Sequence, residues 1–162
     1  MLIYLIRHGI AQDVSDDGDD ASRVLTDEGI RKTRDVSKGL SRLIDPPEML
    51  LCSPKARARQ TAEILGKALD VPPRVEPRLA HSDVKSHLDL IQENPVDSIA
   101  LVGHEPTLSY LIETLCTGTN QSGFVQLKKA GAACVEIERT GKKLQLPGRL
   151  LWLAPPKMLA AR

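Results

Sequence analysis

Residues 1–11 read M-L-I-Y-L-I-R-H-G-I-A. An unbroken apolar run, Leu2 to Ile6, ends in Arg7, His8 and Gly9. Such a run reads as a buried strand. Two strongly polar side chains at the end of such a strand need a reason to be there.

The chain beyond this strand alternates between helical and extended patterns. Thr26 suits a helix N-cap, and Asp27 and Glu28 suit the positive end of the helix dipole. This helix is expected to reach about Leu43, before Asp45-Pro46-Pro47 stops it. Met49 to Cys52 reads as a buried strand. Ser53 and Pro54 read as N-cap and first turn of a helix to about Leu69. After Val71-Pro72-Pro73 comes a brief strand at Arg74 to Glu76. Asp83 to about Glu93 places Val84, Leu88 and Ile91 on one helical face. Ser98 to Val102 is a strand and Thr107 to Cys116 a helix. Ala132 to Glu138 and Leu144 to Leu153 are strands, the last interrupted near Pro147 and Gly148. The expected class is α/β, a three-layer sandwich. Its sheet is mixed and mostly parallel, with helices on both faces and one antiparallel strand pair near the C-terminus. No repeat or linker divides the chain, so 1–162 is expected to be one domain, with a core over 1–154 and a tail over 155–162.

Composition narrows the function. A net charge of +1, with one Trp, two Tyr and one Phe, offers neither a basic field nor stacking platforms for nucleic acid. No run is long and apolar enough for a membrane span, and Met1 to Ile6 is too short for a signal sequence. Cys52, Cys116 and Cys134 are scattered and suit reduced, mostly buried thiols, so a cytoplasmic protein is expected, and the sequence leaves its oligomeric state open, with a monomer the simplest expectation. Gln12 to Arg23 is rich in Asp. Counted as a calcium loop from Asp13, it puts Gly18 at the right place but Val24 where a Glu is required. A solvated, mobile acidic loop is the better reading. His81 and His87 are expected on the surface.

In α/β sheets, ligands sit beyond the carboxyl ends of the strands. Three such ends carry related chemistry: Arg7-His8-Gly9, then Ser53-Pro54-Lys55 with Arg57 and Arg59, then Gly103-His104-Glu105-Pro106. Cations at a helix N-terminus oppose the dipole unless an anion is bound there. Lys55 and Arg59 are read as solvent-facing, whereas Arg57 should converge with Arg7, His8 and His104. The sequence has no GxxxxGK[ST] loop, no CxxxxxR loop and no two-metal cluster. What remains is phosphoryl transfer without metal or cofactor. One His is the nucleophile, two Arg clamp the oxygens, and a second His adds positive charge.

L-I-R-H-G-I-A, L-C-S-P-K-A-R-A-R-Q-T-A-E-I-L and A-L-V-G-H-E-P-T-L, with R-V-L-T-D-E-G after the first loop, resemble the histidine phosphatase (phosphoglycerate mutase-like) superfamily. Among its members the chain is most similar to the small SixA-type phosphohistidine phosphatases. The resemblance implies that His8 accepts the phosphoryl group and that Arg7, Arg57 and His104 hold its oxygens. Gly9 would let the backbone turn tightly beside the nucleophile, and Ser53 and Glu105 would help to bind substrate. It further implies a phosphorylated protein substrate, such as a histidine-containing phosphotransfer domain. A small phosphate ester, or phosphate binding without catalysis, are the alternatives. Many mutase-type members carry a Glu general acid after the third strand. Here that region is E-P-R-L-A-H-S-D, with Arg78 near the expected place, and Glu76, Asp83 and Glu105 stay open as substitutes.

Overall fold

A computed structural model describes residues 1–119 and 123–160. The elements are β1 (Leu2–Arg7), α1 (Asp27–Leu43), β2 (Met49–Cys52), α2 (Ala56–Leu69), β3 (Pro73–Val75), α3 (Val84–Glu93), β4 (Ser98–Gly103), α4 (Thr107–Thr117), β5 (Ala132–Thr140), β6 (Lys143–Ala154) and α5 (Pro156–Leu159). They form one six-stranded sheet in the order β3-β2-β4-β1-β5-β6. β3, β2, β4 and β1 are parallel. β5 runs against both β1 and β6, so the antiparallel β5–β6 pair expected near the C-terminus adjoins a second antiparallel pairing.

β1 shows why its sequence is apolar throughout. Ile3 and Leu5 enter a core with Leu90, Ile91, Leu108 and Leu111, from α3 and α4. Tyr4 and Ile6 enter a second core with Val36, Leu40, Ala62 and Leu65, from α1 and α2. Each face is covered, which gives the three layers.

The register sets the site. Arg7 pairs with Gly103, and Cys52 pairs with Val102. The His8 N–H donates to Gly103 O (3.1 Å) and the Ser53 N–H to Val102 O (3.0 Å). Three strand ends are therefore flush at one edge. α1 and α4, which follow the neighbouring strands β1 and β4, lie on opposite faces. A crevice opens where the connections diverge in this way.

Five local expectations are corrected. α2 starts at Ala56 rather than at Pro54, and Ser53 Oγ, which accepts from the Lys55 N–H (3.3 Å), also lies 2.7 Å from His104 Nε2. The N-cap of α2 is Lys55, which makes no side-chain capping bond. His87 is buried (1% exposed), not a surface residue, with Nδ1 3.0 Å from the Asp83 carbonyl of the preceding turn. The expected tail forms the short helix α5, whose Leu159 is buried in the core that also holds Val36 and Leu40. The acidic segment is exposed but tied down. Ser15 donates to Asp17 and to the Asp19 carbonyl, Asp19 caps a single 3-10 turn, and Ala11 bridges to Leu25. β6 runs unbroken through Pro147 and Gly148, with its irregularity taken up by a register shift opposite Glu136 and Glu138.

Candidate active site

The three strand ends bring Arg7, His8, Ser53, Arg57 and His104 together. His8 is 6% exposed and Arg57 is 5% exposed. His8 Nδ1 lies 2.7 Å from Gly9 O, and a carbonyl oxygen can only accept. Nδ1 therefore carries the proton, and the lone pair is on Nε2. Arg57 Nε donates to that Nε2 at 3.3 Å. The bond from Nδ1 fixes both the tautomer and the ring orientation.

His104 stands opposite, with ring centroids 5.2 Å apart. Its Nε2 is 2.7 Å from Ser53 Oγ, and Ser53 is fully buried. His104 Nδ1 and Arg7 Nε are buried without partners among the described residues. Arg7 reaches across to the loop before β5, donating from NH1 to Leu127 O (2.9 Å).

Burial dominates the electrostatics. It pushes His8 down to about 4, aided by Arg57, Arg7 and Lys129 and opposed by the bond to Gly9. It pushes His104 down to about 3, aided by His8, Arg57 and Lys55. Both imidazoles are neutral near neutral pH. The positive charge expected of the second histidine therefore comes from the arginines instead. Burial also lowers Arg7, opposed by the Glu105 carboxylate.

Gly9 has another role than the one expected. Its φ is not left-handed, and its N–H is taken by Thr61 Oγ1 (3.0 Å) and its carbonyl by His8. Glycine is required because a Cβ there would overlap the Thr33 hydroxyl and crowd Leu25. Gly29 of α1 is needed likewise, since a Cβ would overlap the backbone of Ile10. This close approach of helix to chain explains the L-T-x-x-G segment.

The spacing of R-A-R-Q-T in α2 is now physical. Arg57, Gln60 and Thr61 share one helical face. Arg57 touches His8, Gln60 Oε1 accepts from the Leu25 N–H (2.7 Å), and Thr61 accepts from Gly9 while donating to Arg57 O. Arg59, as expected, is exposed. Lys55 is not simply solvent-facing, because its Nζ donates to Asp20 Oδ2 (2.7 Å).

Asp20 is the principal residue that the sequence reading missed. Arg57 NH2 donates to its carboxylate (3.1 Å) and NH1 to its carbonyl (2.7 Å), while Arg23 donates to Oδ1. Lys55 first, then Arg23 and Arg57, hold its pKa far below the usual carboxylate range. Asp20 is thus an internal counter-ion for Arg57. The signal was two cations at an uncapped helix start, but five aspartates nearby left the partner undetermined. Lys129 was missed for a related reason, since only the fold brings it near His8.

The open candidates for a general acid are all engaged. Glu76 accepts two bonds from the Arg78 guanidinium, which also donates to Glu93, and Arg78 holds Glu76 ionised. Asp83 caps α3 through the Ser86 N–H (2.7 Å), which keeps it ionised. Glu105 accepts from the N–H and hydroxyl of Ser109. Arg78, the residue near the usual acid position, is locked between two carboxylates.

A family model described as "Histidine phosphatase superfamily (branch 1)" matches residues 3–87. The chain belongs to this superfamily, and within it is SixA-like. It is 36% identical to an uncharacterized protein of Picosynechococcus sp. (strain ATCC 27264 / PCC 7002 / PR-6), over 98% of this chain and 99% of that one. It is 29% identical to phosphohistidine phosphatase SixA of Escherichia coli (strain K12), over 87% of this chain and 88% of that one. The structure of the protein histidine phosphatase SixA complexed with tungstate superposes with a TM-score of 0.82 at 28% identity, over 98% of this chain and 99% of the other. The activity that these likenesses support is that of a phosphatase. Among the described residues, no helix is long and apolar enough to cross a membrane.

Proposed function

We propose that the protein removes the phosphoryl group from phosphohistidine on another protein, through a phosphorylated His8. The observation that carries this reading is the state of His8. It is neutral, with Nδ1–H bonded to Gly9 O, so that Nε2 holds a lone pair beside Arg57. Nε2 attacks phosphorus, a bond from Nε2 to phosphorus forms, and the substrate's nitrogen–phosphorus bond breaks. The substrate imidazole, protonated on its other nitrogen, leaves as a neutral ring. Water then attacks phospho-His8, its oxygen bonds to phosphorus, the bond to Nε2 breaks, and phosphate and neutral His8 are released. The bond from Nδ1–H to Gly9 O steadies the charge that the ring carries while phosphorylated.

Arg7, Arg57 and His104 hold the phosphoryl oxygens in this reading. Arg7 Nε and His104 Nδ1 are buried groups that such an oxygen would satisfy. Charge in the transition state spreads over three oxygens, so fixed donors matter most. Ser53 orients His104, and Glu105 acts on Arg7 through its charge.

The engaged carboxylates favour phosphohistidine over phosphoserine. A serine alkoxide is too basic to leave without a proton donor, whereas imidazole protonates near neutral pH, with an ordinary pKa of about 6.5. The test compares matched peptides carrying phosphohistidine or phosphoserine. We expect kcat/KM for phosphohistidine to be larger by at least ~100-fold, about 2.7 kcal/mol of barrier. Equal rates, or faster loss of phosphate from serine, would mean that a working general acid exists and that the substrate class is wrong. A second arm traps phosphoenzyme. Acid-labile, base-stable phosphate should be found on His8 and be lost in His8→Ala.

A further inference from the structure

A groove of about 540 Å³ opens beside Arg7. Four lysines rim it, Lys32 from α1, Lys128 and Lys129 from the turn before β5, and Lys157 from α5. Ile10, Ala130 and Pro155 give it an apolar floor, and no acidic residue lines it. The chain as a whole carries a net charge of only +1, so this concentration of positive charge is local. Among the described residues, Lys32 pairs with Glu28, Lys128 donates to the neutral Gln126, and Lys129 and Lys157 have no carboxylate partner.

The rim is fixed to the candidate site rather than hung beside it. The Ala130 N–H is shared between the carbonyls of Arg7 and His8, at 3.2 and 3.0 Å. The Gly131 N–H closes the turn onto Lys128 O (2.7 Å), and Leu127 O receives Arg7 NH1. Ala130 adopts a left-handed φ of 60°, a conformation that residues other than glycine rarely take. The turn thus presents Lys128 and Lys129 in a set relation to Arg7 and His8.

We propose that this groove docks an acidic, amphipathic segment of the protein that presents the phosphoryl group. The inference rests on the phosphoprotein reading above. Carboxylates on the segment would meet the lysine rim and its apolar residues the floor, while the phosphorylated side chain reaches past Arg7 to His8. A concave groove continuous with Arg7 fits a peptide segment better than a flat lipid surface. Complementary charge of this kind raises encounter rates and rejects wrong partners.

The experiment uses the full chain and a fluorescent Glu/Leu-rich helical peptide without phosphate, with a Lys/Leu-rich peptide as control. The double variant Lys128→Glu/Lys157→Glu leaves the proposed catalytic groups untouched. Lys142→Glu/Lys143→Glu, at the distant β5–β6 hairpin, makes the same change of net charge elsewhere. We expect the acidic peptide to bind, and its Kd to rise at least ~10-fold in the groove variant but not in the hairpin variant. Turnover of an acid-flanked phosphohistidine peptide should fall by a similar factor, with free phosphohistidine unaffected. Equal affinity for the two peptides, equal losses in both variants, or a stronger response to phosphatidylserine vesicles than to the acidic peptide would each overturn the docking proposal. Intact peptide binding with no turnover of either phosphohistidine substrate would instead leave the groove standing and sink the substrate assignment.

Discussion

His8 and His104 are both buried, neutral and 5.2 Å apart between ring centroids, and their pH behaviour follows from that. Each folded-state pKa lies below the ordinary value, so the unfolded chain takes up protons first as the pH falls. Stability from these groups is complete above about pH 6.5 and is lost progressively toward about pH 4 for His8 and about pH 3 for His104. The His8 shift alone corresponds to about 3 kcal/mol across that window. Carbon and proton shifts of both rings should stay at their neutral positions down to about pH 5, and urea midpoints should drop over the same range. A ring titrating near 6.5 would contradict the assignment. Asp20 offers a second check at this scale. Its carboxylate occupies Arg57 and Lys55, where it repels an arriving dianion. Asp20→Asn should therefore tighten tungstate binding at least ~5-fold, about 1 kcal/mol, in calorimetric titration. Unchanged or weaker binding would mean that Asp20 serves only to aim Arg57.

Among the elements, α1 and α2 form the frame behind His8. α2 offers Arg57, Gln60 and Thr61 from one face, and α1 approaches the chain after β1 at Gly29. A methyl group at Gly29 would improve helix propensity by about 1 kcal/mol. It would also run into the Ile10 backbone, which cannot move aside as a side chain can. The steric cost wins, and Gly29→Ala should destabilise the protein by about 2 kcal/mol in urea unfolding. A neutral or stabilising result would show that α1 can slide away. The order of elements was legible because periodicity changes at each boundary, and α1 begins with Thr26 capping it as expected. The start of α2 was not. Ser53-Pro54 has good capping chemistry, but Ser53 Oγ is shared between the Lys55 N–H and His104, a residue 51 positions away in sequence.

For the whole molecule, the charge at the site comes from arginines delivered by separate elements, Arg7 at the end of β1 and Arg57 in the first turn of α2. Arg7 and Arg57, with Lys55 beside them, are the cations that the fold gathers there. Phosphatase activity should survive EDTA, and a large loss restored by magnesium or zinc would overturn this view. The surface around the site joins parts distant in sequence, namely α1, the turn before β5, and α5. α5 adds Lys157 to the groove while Leu159 anchors it in the core. Its four residues are too few to show a helical period, so no pattern in the sequence separated it from a tail.

The sequence by itself determined the α/β class, the run of strands and helices, and the strand ends that carry Arg7, His8, Arg57 and His104. Burial patterns and strand-end chemistry are local properties, and R-H-G, S-P-x-x-R-A-x-Q-T and G-H-x-P are written in short stretches. Only the tertiary structure decided that Asp20 neutralises Arg57, that His8 and His104 are both neutral, and that Gly9 is fixed by Thr33 rather than by a turn. Those outcomes depend on desolvation and on which of several equivalent charged residues lies within reach. Both are set by packing between segments far apart in the chain.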